Sequence, residues 1–284
     1  MINIMITGGG GFIGVNLIEY LLQKDKSYNI ICVDNFISSN CNNIKELKFK
    51  YPQQITIIEI DICRLNLEIL EHNGINKIDQ IYHLACMASP KYYQKYPIKT
   101  LDTCYIGTKN ILDIAEQYKS RIVYSSTSEV YGDPEKKIQD EMYRGNVNTV
   151  GIRSCYDEGK RVGETLCFEY KKEKNVNVGI VRIFNTYGPY MDSNDGRVIP
   201  NFINQCLQNL DITIYGDGTQ TRSFCYEEDL ILGLEKMMNN NKLGPINLGN
   251  ENEFTINQLA LKVKELIKSD SKVINLNLPQ DDPL

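Results

Sequence analysis

Short apolar runs alternate with stretches of helical periodicity along the first two thirds of the chain. Uninterrupted apolar runs of this length are typical of strands that helices cover on both faces of a parallel sheet. The alternation therefore predicts an α/β fold with a doubly wound parallel sheet and with ligands at the carboxyl ends of its strands. The predicted strands occupy residues 2–6, 30–33, 55–60, 80–84, 121–125 and 178–184, and the clearest helical patterns occupy residues 100–118 and 155–172.

The pattern becomes irregular after residue 184, where Gly188-Pro189, Gly216-Asp217-Gly218 and Gly244-Pro245 interrupt it. Gly and Pro at such intervals indicate turns and loops. We predict a nucleotide-binding domain over residues 1–184 and a smaller, loop-rich substrate domain over residues 185–284. This boundary rests on composition alone, so segments of the second part can cross back to the first.

A glycine-rich turn joins the first predicted strand to the first predicted helix. Glycines at positions 8, 11 and 14 form G-x-x-G-x-x-G, and Asp34 ends the second strand about 20 residues after Gly14. Glycine allows the tight turn and lets the backbone approach a pyrophosphate, which then lies at the helix N-terminus. A carboxylate at position 34 would bind the adenosine ribose and repel a 2′-phosphate. The sequence thus predicts a Rossmann dinucleotide site that takes NAD in preference to NADP.

A hydroxyl-rich segment, Ser125-Ser126-Thr127-Ser128, precedes Tyr156 and Lys160, which lie four positions apart. On a helix these two side chains share one face, with Cβ atoms ~5–6 Å apart. Free Tyr has a pKa of ~10, and a neighbouring ammonium lowers this pKa because it favours the phenolate. The spacing predicts that Lys160 makes Tyr156 a general base for a sugar hydroxyl. The alternative is a surface helix with an incidental Tyr and Lys.

Composition and charge exclude several classes of protein. The 284 residues carry a net charge of −5, which gives no basic surface for nucleic acid. No apolar stretch reaches the ~18–20 residues needed to span a bilayer. Nine Cys without any C-x-x-C indicate reduced thiols in a cytoplasmic protein. His72 and His83 have no further ligands at metal spacing, so we expect no metal site.

The order of the motifs resembles that of the extended short-chain dehydrogenase/reductases. Thr7-Gly-Gly-x-Gly11, Asp34-Asn35, His83-Leu-Ala85, Tyr156-x-x-x-Lys160 and Phe184-Asn185 follow one another as in that superfamily. Within it the chain is similar to the UDP-glucuronic acid decarboxylases over nearly its whole length. The stretches that narrow the resemblance are residues 126–134 (STSEVYGDP), 153–161 (RSCYDEGKR) and 215–224 (YGDGTQTRSF).

The resemblance implies a reaction in which Tyr156, assisted by Thr127, takes the proton of the sugar 4-hydroxyl while NAD accepts the C4 hydride. Lys160 would hold the nicotinamide ribose. The resulting β-keto acid loses carbon dioxide, and Glu129 with Ser128 positions the carboxylate or a water that reprotonates C5. Sugar 4,6-dehydratases have Asp-Glu in place of Ser128-Glu129, and 4-epimerases usually lack the Glu.

The resemblance also implies which residues bind NAD and the UDP-sugar, and it implies a homodimer through the helices at 100–118 and 155–172. Arg222 could alternatively be a surface charge, Tyr215 a packed core aromatic and Asn185 a turn cap. For the UDP-sugar the residues are Asn185, Arg197, Tyr215, Gln220 and Arg222. For NAD they are Gly8, Gly11, Phe12, Ile13, Gly14, Asp34, Asn35, Phe36, Asp61, Ile62, Leu84, Ala85, Thr103, Tyr156 and Lys160.

Two departures from the family pattern lead to further expectations. Asp102-Thr103-Cys104 stands where the family tends to have Lys-Thr-Asn, so a basic contact near the sugar acid is lost. Residues 279–284 end the chain where relatives usually continue with an arginine that reaches the substrate, so we expect weaker substrate binding. The alternatives to decarboxylation are an NAD-dependent 4-epimerase or 4,6-dehydratase and, in another class, a non-catalytic NAD-binding protein.

Overall fold

A parallel sheet forms the centre of the molecule, and the predicted α/β fold is confirmed. The structure is a computed structural model that describes residues 2–136 and 138–277. The strands are β1 (Ile2–Thr7), β2 (Tyr28–Asp34), β3 (Ile55–Glu59), β4 (Gln80–His83), β5 (Arg121–Thr127), β6 (Asn177–Ile183), β7 (Thr186–Tyr187), β8 (Ile212–Tyr215), β9 (Thr221–Ser223), β10 (Cys225–Tyr226), β11 (Ile246–Leu248), β12 (Glu253–Thr255) and β13 (Val273–Leu276). Within the described residues the large sheet has seven strands in the order β11-β6-β5-β4-β1-β2-β3. All of its neighbours pair in parallel.

Helices cover both faces of this sheet. They are α1 (Phe12–Lys24), α2 (Cys41–Lys50), α3 (Leu67–His72), α4 (Pro90–Tyr93), α5 (Pro97–Asp102), α6 (Thr108–Tyr118), α7 (Ser154–Lys174), α8 (Val198–Leu207), α9 (Glu227–Met238) and α10 (Ile256–Ile267). One core cluster joins the sheet to α1, α2 and α9, and a second joins its other face to α3, α6 and α7. Burial on both faces explains why β1 and β5 lack polar alternation.

The helix predicted over residues 100–118 differs from the prediction in two respects. It begins earlier, because Pro97 occupies the first turn of α5, where a missing N–H costs little. A π-helical turn at Thr103–Gly107 then separates α5 from α6. A Cβ on Gly107 would lie 2.4 Å from Ile62 Cδ1, so this turn packs directly against the segment after β3. The helix predicted over residues 155–172 is α7, which ends at Asn175 in the left-handed conformation.

The second half of the chain contributes to two parts of the molecule. β11 pairs with β6, and the Arg121 guanidinium donates to Met237 O (3.0 Å) and Lys242 O (2.9 Å), which ties α9 to the large sheet. A third core cluster joins α8, β8 and α10. Residues 227–248 therefore pack on the large sheet, whereas β8, β13, α8 and α10 form a smaller unit beside it. The boundary at residues 184/185 stays a prediction.

Two further points follow from the described residues. None of their helices combines the length and the apolar character that crossing a bilayer requires. Residues 279–284, on which the expectation of weaker substrate binding depends, lie outside the described part of the chain.

Candidate active site

A large cleft of ≈ 1150 Å³ opens along the carboxyl ends of the parallel strands. Its walls come from the turns after β1, β2, β4, β5 and β6, from α7, and from the smaller unit. The cleft brings together every residue that the sequence predicts for catalysis, NAD or UDP-sugar. These residues are Gly8, Gly11, Phe12, Ile13, Gly14, Asp34, Asn35, Phe36, Asp61, Ile62, Leu84, Ala85, Thr103, Thr127, Ser128, Glu129, Tyr156, Lys160, Asn185, Arg197, Tyr215, Gln220 and Arg222. Their individual roles stay predictions.

The turn between β1 and α1 has the geometry of a pyrophosphate cradle. Gly8 has a φ of 70°, and a Cβ on it would lie 2.9 Å from the Ala85 backbone. A Cβ on Gly14 would lie 2.4 Å from Gly8 O. Among the described side chains none caps the N-terminus of α1, so its first N–H groups are available to an anion. The glycines therefore fit a dinucleotide.

Asp34 lies at the end of β2 beside this cradle. Its carboxylate accepts hydrogen bonds from Gly10 N (2.9 Å), Phe36 N (2.8 Å) and Ser39 Oγ (3.2 Å). Burial raises the pKa of Asp34, and these hydrogen bonds oppose the rise. The position is the one expected for a ribose-binding carboxylate.

Asp61, which follows β3, lies further along the same wall. It accepts from Cys63 N (3.0 Å) and Asn35 Nδ2 (3.3 Å), and it pairs with Lys99 Nζ (3.1 Å). Burial raises the pKa of Asp61, but the bonds from Cys63 and Lys99 lower it overall. Asp61 is therefore an anionic acceptor in the part of the cleft that is lined by residues predicted for NAD.

Tyr156 and Lys160 lie on one face of α7, as their spacing predicts, and both are buried. Lys160 Nζ donates to Ser125 O (2.7 Å) and lies 5.9 Å from the centroid of the Tyr156 ring. Tyr156 stacks on Tyr93 with ring centroids 5.1 Å apart. The helix and the end of β5 thus place the phenol, the ammonium and the hydroxyl-rich segment together.

The expected lowering of the Tyr156 pKa is wrong for this structure. Burial raises the pKa of Tyr156 well above its ordinary value, the neighbouring Cys86 adds to the rise, and a hydrogen bond with Thr127 opposes it. The Lys160 ammonium donates to the Ser125 carbonyl. The positive charge of Lys160 therefore does not offset the rise in the Tyr156 pKa that burial causes.

Glu129 forms an ion pair with Arg153, which the sequence analysis did not place in the site. A short 3₁₀ turn, Ser128–Tyr131, follows β5, and its first turn is capped by Thr127 Oγ1, which accepts from Glu129 N (3.3 Å). Arg153 comes just before α7 and lines the cleft. The pair fixes a carboxylate across from Tyr156. No spacing in the sequence indicates this pair, because its two residues lie 24 positions apart on different elements.

Asp157 is a buried acidic residue of α7, next to Tyr156, that the sequence did not indicate. It is only 8% exposed, and among the described residues its Oδ1 has no hydrogen-bond partner. Burial raises the pKa of Asp157 to about 7, Glu129 adds to the rise, and Arg153 opposes it. The carboxyl is therefore partly protonated near neutral pH.

Replacing Asp157 with Asn should change the pH dependence of stability. The unfolded carboxyl ionises near ~3.9, whereas the folded one keeps its proton until about 7. The contribution of Asp157 to the free energy of unfolding therefore falls as the pH rises from about 4 to about 7. We expect Asp157→Asn to be more stable than wild type by about 1–3 kcal/mol at pH 8 and nearly equal to it at pH 4.

Urea denaturation of both proteins at the two pH values measures this difference. Glu169→Gln is the matched control, because it removes a partly exposed carboxylate of the same helix, which pairs with Lys172 (3.6 Å). A stability difference between wild type and Asp157→Asn that is the same at both pH values would contradict the assignment.

The predicted substrate residues line the opposite wall. Tyr215 ends β8 and is 42% exposed, so it is not the packed core aromatic of the alternative interpretation. Gln220 Nε2 donates to Tyr215 O (3.0 Å), and Arg222 lies on β9. Arg197 pairs with the buried Asp195. This wall combines cationic and aromatic side chains, as a nucleoside diphosphate requires.

His83 has a structural role in this geometry. Its Nδ1 and Nε2 lie 2.7 Å from Thr7 Oγ1 and 3.0 Å from Thr108 Oγ1. Burial lowers the pKa of His83 to about 3, so the ring is neutral and links β1, β4 and α6. The described residues contain no group of three or more His, Cys, Asp or Glu side chains placed to hold a metal ion.

The model of the NAD dependent epimerase/dehydratase family matches residues 4–249, and the chain belongs to this family. Within it, UDP-glucuronic acid decarboxylase 6 of Arabidopsis thaliana is 46% identical over 284 residues, which cover 99% of this chain and 78% of that protein. The resemblance to the extended short-chain dehydrogenase/reductases is confirmed.

Solved structures agree with this family. UDP-glucose 4-epimerase of Thermotoga maritima, determined with UDP-glucose, superposes with a TM-score of 0.88 at 25% identity, covering 99% of this chain and 87% of that one. UDP-glucuronic acid 4-epimerase of Bacillus cereus, in complex with UDP-glucuronic acid and NAD, gives 0.83 at 26% identity, covering 99% and 88%.

Proposed function

We propose that this protein is an NAD-dependent decarboxylase that converts UDP-glucuronate to UDP-xylose through a 4-keto intermediate. The main support for this proposal is that one cleft, beside the glycine turn, is lined by Thr127, Glu129, Tyr156 and Lys160. The Arabidopsis decarboxylase, similar over nearly the whole chain, supports the same reaction.

The side chains perform distinct parts of this reaction. Tyr156, aided by Thr127, removes the proton of the sugar 4-hydroxyl. NAD, when bound, supplies the hydride acceptor that later returns the hydride, and its positively charged nicotinamide favours the phenolate. The 4-ketone makes the C6 carboxylate a β-keto acid, and Thr127 and Tyr156 hydrogen-bond the enolate oxygen that forms as carbon dioxide leaves. Glu129, held by Arg153 and assisted by Ser128, directs the proton to C5.

The opposite wall binds the nucleotide part of the substrate. Arg222 and Asn185 bind the diphosphate, because the guanidinium can donate to two phosphate oxygens at once. Tyr215 lies against the uracil, and Gln220 holds Tyr215 through its carbonyl. Arg197, kept in place by Asp195, supplies a further cation to the sugar nucleotide.

Asp34 should make the protein prefer NAD over NADP. The carboxylate lies next to Gly10 N and would face a 2′-phosphate as a like charge. We expect NAD to bind at least about tenfold more tightly than NADP, which corresponds to ~1.4 kcal/mol. In Asp34→Asn the dissociation constants of NADP and NAD should lie closer together. Fluorescence or calorimetric titration measures both constants, and tighter binding of NADP by the wild type would refute the assignment of Asp34.

Incubation with UDP-glucuronate and NAD, followed by NMR of the products, tests the proposed reaction. A UDP-pentose and carbon dioxide support decarboxylation. UDP-galacturonate would instead establish a 4-epimerase, the candidate favoured by the structural likeness to the Bacillus cereus enzyme. Unchanged UDP-glucuronate with bound NAD would establish a non-catalytic NAD-binding protein.

The protein should form a homodimer in the cytoplasm. All nine thiols are free, which suits a reducing compartment. Large apolar side chains stay exposed on α5, the π turn and α7; these are Ile98, Leu101, Tyr105 and Phe168. Such a patch favours pairing with a second copy.

Light scattering at micromolar concentration should therefore give the mass of a dimer, and Phe168→Asp should shift it towards the monomer. Phe49→Asp is the matched control, because Phe49 is 90% exposed on α2, outside this patch. A monomeric wild type, or equal effects of the two substitutions, would contradict the proposed interface.

A further inference from the structure

Two thiols, one of which lines the cleft, face each other between β4 and α6. Cys86 follows β4 and lines the cleft, and Cys104 lies in the π turn between α5 and α6. Their Sγ atoms are 3.5 Å apart. The two residues come from different elements, so their contact is produced by the tertiary fold.

Tight packing of the π turn against α7 holds Cys104 in this position. A Cβ on Gly159 would lie 3.0 Å from Cys104 Sγ and 3.1 Å from its Cβ, so only a glycine lets α7 approach so closely. Gly159 immediately precedes Lys160. The thiol pair is therefore fixed by the same helix that carries Tyr156 and Lys160.

The two thiols differ in access to solvent. Cys86 is partly exposed to the cleft, whereas Cys104 is only 2% exposed. Cys86 is therefore the thiol that a small molecule in the cleft can approach, because Cys104 does not line the cleft.

The surroundings of Cys86 favour its thiolate. The thiol–thiol contact with Cys104, with a smaller contribution from the Lys160 ammonium, lowers the pKa of Cys86 to about 7 although burial opposes the shift. The thiolate is the nucleophilic form of cysteine. Cys86 thus has the properties of an attacking thiol, and Cys104 those of a resolving thiol.

We propose that Cys86 and Cys104 are a redox-active dithiol, which a hydroperoxide entering the cleft oxidises to a disulfide. The Cys86 thiolate attacks one peroxide oxygen, the O–O bond breaks, and water leaves after the released hydroxide takes a proton, so Cys86 becomes a sulfenic acid. Cys104 sulfur then attacks Cys86 sulfur and the second oxygen leaves as water. Overall, two thiols and one hydrogen peroxide give one disulfide and two waters.

Treatment of the full chain with hydrogen peroxide, followed by alkylation of the remaining thiols and peptide mapping, tests this proposal. We expect the Cys86 and Cys104 peptides to be linked in wild type, and the link to disappear with dithiothreitol. Cys104→Ser should stop at the sulfenic acid of Cys86, which dimedone traps, and Cys86→Ser should leave Cys104 as a free thiol.

Cys41→Ser is the control, because Cys41 is a partly exposed thiol on α2 whose Sγ contacts Asn42 Oδ1. It should form the Cys86–Cys104 link to the same extent as wild type. Oxidation of Cys86 to a sulfinic acid without any link, or a link between Cys86 and Cys155, would overturn the proposal. The mapping needs no substrate, so its result is independent of the proposed reaction.

Discussion

Replacing Tyr156 with Phe should lower the turnover of UDP-glucuronate by about 10²–10⁴-fold, the usual contribution of a positioned acid–base group. The ring remains, so the stacking on Tyr93 at 5.1 Å and the burial of this part of α7 persist. The protein should therefore keep its NAD and its stability. Steady-state rates, bound NAD after purification and thermal unfolding measure the three quantities.

Tyr170→Phe provides the matched control. Tyr170 lies on the same helix and donates to Asp113 Oδ1 (2.6 Å), away from the cleft. The control should lose a little stability and keep the wild-type rate. A Tyr156→Phe enzyme with wild-type turnover would require a different base.

Replacing Glu129 with Gln should also cost about 10²–10⁴-fold in turnover, because the neutral amide cannot direct a proton to C5 as the carboxylate paired with Arg153 does. Gln keeps the length of the side chain and can still accept a hydrogen bond from Arg153, so the fold of the 3₁₀ turn should persist. The substitution acts after the removal of the C4 hydrogen. The protein should therefore still reduce its NAD when UDP-glucuronate is added, which absorbance at the NADH band measures.

Glu158→Gln serves as the control for this substitution, because it removes an exposed carboxylate of α7 that pairs with Arg161. It should leave turnover unchanged. A Glu129→Gln protein that neither turns over nor reduces NAD would place Glu129 before hydride transfer and contradict the role given to it.

Local spacing explains what the sequence predicted well. The glycine turn, Asp34 and the pair Tyr156 and Lys160 each depend on a short segment whose secondary structure follows from its own pattern. The position of these segments at the carboxyl ends of parallel strands then brings them to one cleft. The fold class and the composition of the cleft were predictable for this reason.

Long-range packing explains what the sequence did not reveal. The ion pair between Glu129 and Arg153 joins a turn after β5 to the start of α7, and no periodicity connects them. The π turn depends on how closely Ile62 and Gly159 approach it. Burial decides whether the pKa of Tyr156 rises or falls, and the spacing of Tyr156 and Lys160 does not show burial. β11 is only three residues long, too short for its pattern to indicate a return to the large sheet.

The most direct test of the proposed reaction follows the fate of the carboxylate and of C5 together. UDP-glucuronate labelled with carbon-13 at C6 is incubated with the protein and NAD in deuterium oxide, and the products are observed by NMR. We expect labelled bicarbonate and a UDP-pentose with one deuterium at C5. Carbon-13 that remains in a nucleotide hexuronate, whatever its configuration at C4, would contradict the proposed reaction.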